Sequence, residues 1–190
     1  MTKNQRLAAT LITPTTKGEG AAHDVPVTAA ETVERGLVPT ERWREIERVA
    51  LALFRRGRDL AAARGLILVD TKYEFGIDRE GRLRLADEIH TPDSSRYWIA
   101  DSYPGRVAKG QEPDSLDKEF LRLWIAARCD PYKEPIPEIP PATLAEFSAK
   151  YVRLYEQVTG QEFVPAEPET PLRERIERNL ERAFPEFAPK

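Results

Sequence analysis

The sequence LILVDTKYEFG, residues Leu66–Gly76, sets the architecture that the rest of the chain must accommodate. It begins with four consecutive apolar residues and then alternates polar and apolar side chains as far as Phe75. Alternation of this kind is typical of a β-strand whose two faces meet different surroundings. The turn signal Asp-Arg-Glu-Gly follows at 78–81, and residues 82–88 alternate again. The pattern therefore predicts a β-hairpin.

Helices are predicted on both sides of this hairpin. Apolar residues recur at three- and four-residue spacing over 41–64, and Gly65 is suited to end that helix. Further helices are predicted over about 115–128, 143–159 and 171–183. A lone two-stranded hairpin is marginal in water, so we expect helix 41–64 to cover one face and a ligand or another chain to cover the other. The predicted fold class is α+β, with a small antiparallel sheet and packed helices.

The composition limits the domain organisation of the chain and excludes several classes of function. The chain has 190 residues with 29 Lys+Arg, 32 Asp+Glu and a net charge of −3, which provides no basic field for nucleic acid. No apolar run approaches the roughly 20 residues of a membrane helix, and no secretory signal core is present, so we expect a cytoplasmic protein. One cysteine and two histidines exclude a Cys-based zinc cluster and a multi-His centre. We predict a loop segment over 1–27, a domain over 28–163 and a charged tail over 164–190.

Charged side chains concentrate on the predicted hairpin. Strand alternation places Asp70, Lys72 and Glu74 on one face. On the returning strand, Asp87 is expected near the position opposite Glu74 or Lys72. Two carboxylates facing each other suit a hard cation such as Mg²⁺, whereas the alternative is a solvated strand face with cross-strand ion pairs. Both interpretations stay open on the sequence alone.

The segment after the hairpin holds hydroxyls, a carboxylate and a guanidinium. The loop Thr91–Arg96, TPDSSR, can hold a phosphate through Arg96 and its hydroxyls, and Asp93 can bind a ribose. The alternative is a hydroxyl-closed turn with Arg96 in a structural salt bridge. His90 precedes the loop and is a candidate general acid or base, or else a packed loop histidine. A second polar cluster contains Lys17 with neighbouring hydroxyls, followed by His23-Asp24.

Four stretches resemble the SAICAR synthetase (phosphoribosylaminoimidazole-succinocarboxamide synthase) family. The two most specific are LILVDTKYEFG at 66–76 and DEIHTPDSSRYW at 87–98. ITPTTKGEGAAHD at 12–24 is similar to the family's Thr-Pro-Ser-Thr-Lys…His-Asp stretch, and SLDKEFLRLW at 115–124 is similar to its Ser-Phe-Asp-Lys-Gln helix. The resemblance covers nearly all of residues 12–163.

The resemblance implies a reaction and a set of roles. The family joins aspartate to a carboxyaminoimidazole ribotide with ATP and Mg²⁺, through an acyl phosphate of the ribotide carboxylate. It implies that Glu74 and Asp87 bind the metal and that Lys72 lies beside them at the nucleotide. The residues implied to line the ribotide and aspartate region are Thr16, Lys17, His23, Asp24, Asp93, Ser94, Ser95 and Arg96.

The sequence also departs from the family pattern. Family members carry an N-terminal lobe over the ATP phosphates before the Thr-Pro-Ser-Thr-Lys stretch, whereas only about a dozen residues precede that stretch here. We therefore predict a SAICAR-synthetase-like C-terminal portion without this lobe, which acts on an imidazole or purine-like ribotide without ATP and with Mg²⁺ as its candidate cofactor. The residues predicted to carry the chemistry are His90, Lys72 and Asp87, in a ring-forming step toward 1,3-diazepine nucleosides of the coformycin type.

Two alternatives remain beside this prediction. The chain can be an ATP-dependent subunit that needs a separate N-terminal lobe, or a non-catalytic nucleotide-binding homologue. In each case the sheet face that the lobe would cover predicts a homo-oligomer. Neither nucleic acid nor membrane is an expected partner.

Overall fold

The computed structural model describes residues 2–16, 24–165 and 169–187. The helices within this part of the chain are α1 Ala29–Glu34, α2 Thr40–Ala62, α3 Tyr103–Ala108, α4 Glu119–Ala126, α5 Pro141–Thr159 and α6 Leu172–Ala183, followed by a 3-10 turn at Pro185–Phe187. The strands are β1 Thr15–Thr16, β2 Val25–Pro26, β3 Leu66–Thr71, β4 Glu74–Ile77, β5 Leu83–Ala86 and β6 Ser95–Ile99. The predicted α+β class is confirmed. None of the described helices is long and apolar enough to cross a bilayer.

The chain divides into two compact units after Gly160. The first unit, Met1–Gly160, contains the six described strands and helices α1 to α5. Gly160 ends α5 in the left-handed conformation (φ 70°), which glycine adopts without steric cost. The second unit, Gln161–Lys190, contains α6, whose exposed surface carries Arg–Glu ion pairs at four-residue spacing.

The strands form three antiparallel pairs rather than the single predicted hairpin. β3 pairs with β6, from Leu66 opposite Ile99 to Thr71 opposite Ser95, with an irregularity between Leu68 and Asp70. The predicted hairpin is correct only for the strands next to the turn, where β4 pairs with β5. The prediction that the whole run from residue 66 folds back on 82–88 was wrong.

A break at Lys72 explains this difference. Lys72 and the next residue lie outside both strands, and the Lys72 backbone N–H donates to Ser94 O at 3.0 Å, on the side of β6. After this residue the chain leaves the β3–β6 pair and enters the β4–β5 pair. β6 itself, sequence SRYWI, begins within the segment Thr91–Arg96, which we predicted as a loop, and its aromatic and β-branched residues favour a strand.

The core of the first unit forms where α2, α5 and the β3–β6 pair meet. Its buried apolar residues are Ala61, Leu66, Leu68, Tyr97, Leu116 and Leu154. The predicted long amphipathic helix is confirmed as α2, and its apolar face packs on β3. At the start of α1, Thr28 and Glu31 form a capping box.

One carboxylate is fully buried beside this core. Asp117 has no exposed surface and accepts hydrogen bonds from the backbone N–H groups of Tyr97 and Glu119, each at 2.8 Å. Burial raises the pKa of Asp117 above its ordinary value. A buried polar group is costly unless it is hydrogen-bonded, so these two bonds fix the start of α4 against β6.

His90 packs directly on α2. Its ring lies against Gly57, where a Cβ atom would stand 2.3 Å from His90 Cε1 and 2.7 Å from Nε2. His90 Nε2 lies 2.5 Å from the Tyr73 hydroxyl, and the Tyr97 hydroxyl donates to His90 O at 2.8 Å. Burial lowers the pKa of His90 and raises that of Tyr73 to about 12, so a Tyr73 donor facing a neutral imidazole is the favoured arrangement.

Replacing Gly57 with Ala should destabilise the protein by about 1–3 kcal/mol, because the new methyl group overlaps the His90 ring and overpacking exceeds the ~1 kcal/mol helix gain of Ala over Gly. The matched control is Gly105→Ala in α3, where a Cβ would meet nothing within 4 Å. Chemical denaturation should show a lower midpoint only for Gly57→Ala. Equal midpoints for the two variants would contradict the packing described here.

The packing of His90 also predicts a pH dependence of stability. Its pKa is lower in the folded state than in the unfolded chain, so the unfolded chain takes up the proton first as the pH falls below about 7. The free energy of unfolding should therefore decrease between pH 7 and pH 5. His90→Asn removes the titrating group and tolerates the left-handed backbone at this position (φ 56°). Its stability should decrease less over the same range, and parallel melting curves would exclude this contribution.

Candidate functional site

A lysine with two carboxylates lies where β3 ends and β4 begins. Lys72 Nζ is 3.0 Å from Asp24 Oδ2 and 3.1 Å from Glu74 Oε1. The hydrogen bond that Lys72 donates to Asp24, followed by the one that it donates to Glu74, raises the pKa of Lys72. Asp24 comes from the segment before β2, so the cluster joins two distant parts of the chain. The predicted proximity of Lys72 and Glu74 is present, and Asp24 joins them.

A second ion pair links the adjacent strands. Arg96 of β6 lies opposite Asp70 of β3, and its Nε donates to Asp70 Oδ1 at 2.9 Å. A further contact joins Arg96 Nη2 to Asp70 Oδ2, and the Asp70 hydrogen bonds raise the pKa of Arg96. Both side chains remain about half exposed, so Arg96 keeps guanidinium donors that can reach a ligand.

The loop Thr91–Arg96 is closed by its own hydroxyls. The Thr91 N–H donates to Ser94 Oγ and the Ser94 N–H donates to Thr91 Oγ1, both at 3.2 Å. Ser95 is buried, with 4% of its surface exposed, and its hydroxyl donates to Thr71 Oγ1 at 2.8 Å. Two serines were predicted to contact a ribotide. In the structure, Ser95 is buried and connects the loop to Thr71 of β3, whereas Ser94 takes part in the turn itself.

Asp93 extends from this loop toward α5. Its Oδ1 accepts a hydrogen bond from the Tyr151 hydroxyl at 2.9 Å. Burial, followed by the hydrogen bond to Asp93, raises the pKa of Tyr151. Tyr151 was not predicted as a site residue, because its partner lies 58 positions earlier and no local pattern connects the two.

Asp87 and His90 occupy the turn between β5 and the loop. The residue opposite Glu74 is Ala86, so Asp87, which was expected near the position opposite Glu74 or Lys72, lies one residue beyond that pair. The β4–β5 ladder ends at that pair, and exposed Asp87 follows with left-handed backbone (φ 65°). Non-glycine residues in this conformation carry strain of about 1–3 kcal/mol, which is characteristic of functional turns. The ring of His90 faces Gly57 and Tyr73.

The N-terminal polar cluster is described only in part. Thr16 lies in β1, and its hydroxyl donates to Val25 O at 3.5 Å. Lys17 and His23 lie outside the described residues. Asp24 is the member of this cluster that contacts the hairpin region, through Lys72.

Few carboxylates of this site could hold a cation. Within residues 2–16, 24–165 and 169–187, no group of three or more histidine, cysteine or carboxylate side chains is suited to hold a metal ion. Asp24 and Glu74 nevertheless converge on one positive group, the Lys72 ammonium. Mg²⁺ is commonly bound by one or two carboxylates together with water and substrate phosphates, and this donor set fits that pattern.

Comparison with known proteins gives one consistent family. The family model for SAICAR synthetase matches residues 1–139. A phosphoribosylaminoimidazole-succinocarboxamide synthase of Legionella pneumophila is 49% identical over 181 residues, which cover 95% of this chain and 57% of the relative. The chain thus spans a little under three fifths of the length of that relative.

Two solved structures share the fold. A SAICAR synthase from Saccharomyces cerevisiae, complexed with SAICAR, superposes with a TM-score of 0.63 at 35% identity, covering 75% of this chain and 46% of the yeast chain. A type-2 SAICAR synthetase in complex with ADP gives a TM-score of 0.61 at 27% identity, covering 84% of this chain and 55% of the other. From the family model and these similarities, the chain belongs to the SAICAR synthetase family.

Proposed function

We propose that this chain binds an imidazole ribotide and the Mg²⁺-bound phosphates of a nucleotide for a SAICAR-synthetase-type ligation. The observation that carries the proposal is the convergence of the Asp24 and Glu74 carboxylates around the Lys72 ammonium, next to the Thr91–Arg96 loop. Exposed ion pairs contribute little to stability, so this concentration of charge is better explained by ligand binding. Lys72 Nζ can transfer its contacts from carboxylates to a phosphate.

The ribotide contacts in this proposal come from the loop. Arg96 is fixed by Asp70 and retains outward donors for a phosphate. Asp93 can accept a ribose hydroxyl. The loop is closed internally by Thr91 and Ser94, so its groups are held in place before the ligand binds.

The metal contacts come from the hairpin end. Glu74 would hold Mg²⁺, together with Asp87, which follows the residue opposite Glu74. When bound, Mg²⁺ neutralises charge on the transferring phosphoryl group. The protein's own part is to hold the ribotide carboxylate and the phosphates close together in a fixed orientation.

The reaction proposed for the complete site is that of the family. Phosphoryl transfer from ATP to the ribotide carboxylate gives an acyl phosphate and ADP. The aspartate amine then attacks the acyl carbon, forms the amide and releases phosphate. The names of the relatives support this reaction, and so do the SAICAR and ADP bound in the two solved structures.

The ATP-independent, ring-forming reaction predicted from the sequence remains the second candidate. It needs a base that is neutral near pH 7, and burial lowers the pKa of His90, which favours that form. The His90 ring already contacts Gly57 and Tyr73, so the reaction would require the ring to leave this position. The ATP-dependent ligation needs no such movement.

A thermal-shift screen distinguishes these candidates. Carboxyaminoimidazole ribotide at about 100 times its Kd should raise Tm by roughly 5–10 °C, since such a ligand adds ~2.7 kcal/mol. A separate shift with ATP and Mg²⁺ supports the ligation, and a shift with ribotide alone, together with turnover without ATP, supports the ring-forming reaction. The absence of any shift would contradict ligand binding and favour a non-catalytic homologue.

Glu74→Gln tests the metal site directly. The variant should lose most of the shift with ATP and Mg²⁺ and keep the shift with ribotide, because it removes a carboxylate charge and leaves the loop intact. Glu80→Gln is the matched control, since Glu80 is an exposed hairpin acid paired with Arg82. Equal responses of the two variants to ATP and Mg²⁺ would exclude Glu74 as a metal ligand.

A further inference from the structure

We propose that Tyr151 is a positioning residue of the candidate ribotide site, whose hydroxyl orients the Asp93 carboxylate for a sugar hydroxyl. The inference rests on the proposed function and adds a residue to that site. Tyr151 belongs to α5, Pro141–Thr159, which lies beyond the residues 1–139 matched by the family model.

Helix α5 is anchored firmly enough to fix a side chain. Leu154, one turn after Tyr151, is 2% exposed in the core of the first unit. Gln157 Nε2 donates to Arg64 O at 3.4 Å, at the end of α2. Residues three positions apart share a helix face, so the burial of Leu154 directs Tyr151 toward the body of this unit.

Packing also restricts the side chain of Tyr151, in addition to the backbone of α5. It tilts against Phe147, with ring centroids 4.6 Å apart and an interplanar angle of 59°. This packing is in the range where aromatic pairs attract. The hydroxyl therefore reaches Asp93 from a side chain with little remaining freedom.

The hydrogen bond leaves Asp93 able to bind a ligand. Tyr151 contacts Oδ1, and among the described residues no partner contacts Oδ2. An ionised carboxylate offers about four acceptor positions, so a sugar hydroxyl can donate to Oδ2 while Tyr151 holds Oδ1. The raised pKa of Tyr151 keeps the phenol protonated, and thus a donor, at neutral pH.

Closure of the loop does not require this bond. Thr91 and Ser94 already close the turn, and Ser95 is tied to Thr71 underneath. The bond to Asp93 instead acts on a single exposed side chain. Its effect should therefore appear in ligand affinity more than in stability.

The test is a double-mutant cycle on the full 190-residue chain, read by calorimetric titration with carboxyaminoimidazole ribotide. Tyr151→Phe removes only the hydroxyl and should weaken ribotide binding about five- to tenfold, within the net range for one ordinary hydrogen bond, because the bond to exposed Asp93 acts on the ligand indirectly. In an Asp93→Ala background the same change should have no further effect. The ligand-free Tm should stay within about 2 °C of the parent.

Tyr103→Phe is the matched control. The Tyr103 hydroxyl donates to Asn4 O at 2.6 Å, away from the loop, so this variant loses a comparable bond without changing ribotide affinity. If the unmodified chain binds ribotide and Tyr151→Phe binds it equally well, the inference is overturned and the proposed function stands. Additive losses in the cycle would also overturn it. Failure of the unmodified chain to bind ribotide would overturn both.

Discussion

The antiparallel pairing of β3 with β6 is the contact on which the other features of the first unit depend. It aligns Leu66 with Ile99 and Thr71 with Ser95, and so brings together residues that are 33 and 24 positions apart along the chain. The buried residues of these two strands supply half of the apolar core. At the other end of the same pair, Asp70 and Arg96 stand opposite each other. The same strand register therefore determines both the packing of the core and the position of the Asp70–Arg96 pair in the candidate site.

The side chain of Asp117 stabilises β6 in this pairing. Its carboxylate accepts the Tyr97 N–H in the middle of β6 and the Glu119 N–H at the start of α4. A side chain that lacked two acceptor oxygens would leave a buried N–H without a partner, and such a loss costs about 1–3 kcal/mol. The motif SLDKEF, which the sequence presents as part of a helix, thus acts partly as a connection between strand and helix. This explains a buried charge that carries no ligand in the proposed site.

The sequence predicted the elements whose signals are local. Periodicity located α2 and α5, and the turn at 78–81 located the β4–β5 hairpin. Prediction from the sequence failed where the pairing of a strand depends on residues that are distant along the chain. β3 pairs with β6 rather than with 82–88, and the Lys72 N–H bond to Ser94 O continues that contact, whereas the alternating pattern around Lys72 does not indicate which segment is the partner.

The candidate site shows the same division. Lys72, Glu74, Asp93 and Arg96 were predicted as candidates because they cluster along the chain and match family motifs. Tyr151 was not predicted as a candidate because its contact with Asp93 spans 58 positions, and the exact position of Asp87, one residue past the Glu74–Ala86 pair, depends on where the ladder ends. Prediction of residue types near a site is therefore possible from spacing, whereas prediction of their contacts needs the register of the strands.

The distribution of charge separates structural from functional roles. In the core, Asp117 is satisfied by two backbone donors and has no exposed surface. The pairs Lys72–Glu74 and Asp70–Arg96 are instead solvent-accessible, where an ion pair contributes at most about 1 kcal/mol. Such pairs cost little to open, so an anionic ligand can replace the carboxylate partner of Lys72 without loss of the fold. The proposed exchange of these ion pairs for phosphate contacts is compatible with this arrangement, because the charges are assembled beforehand and the protein's stability does not depend on them.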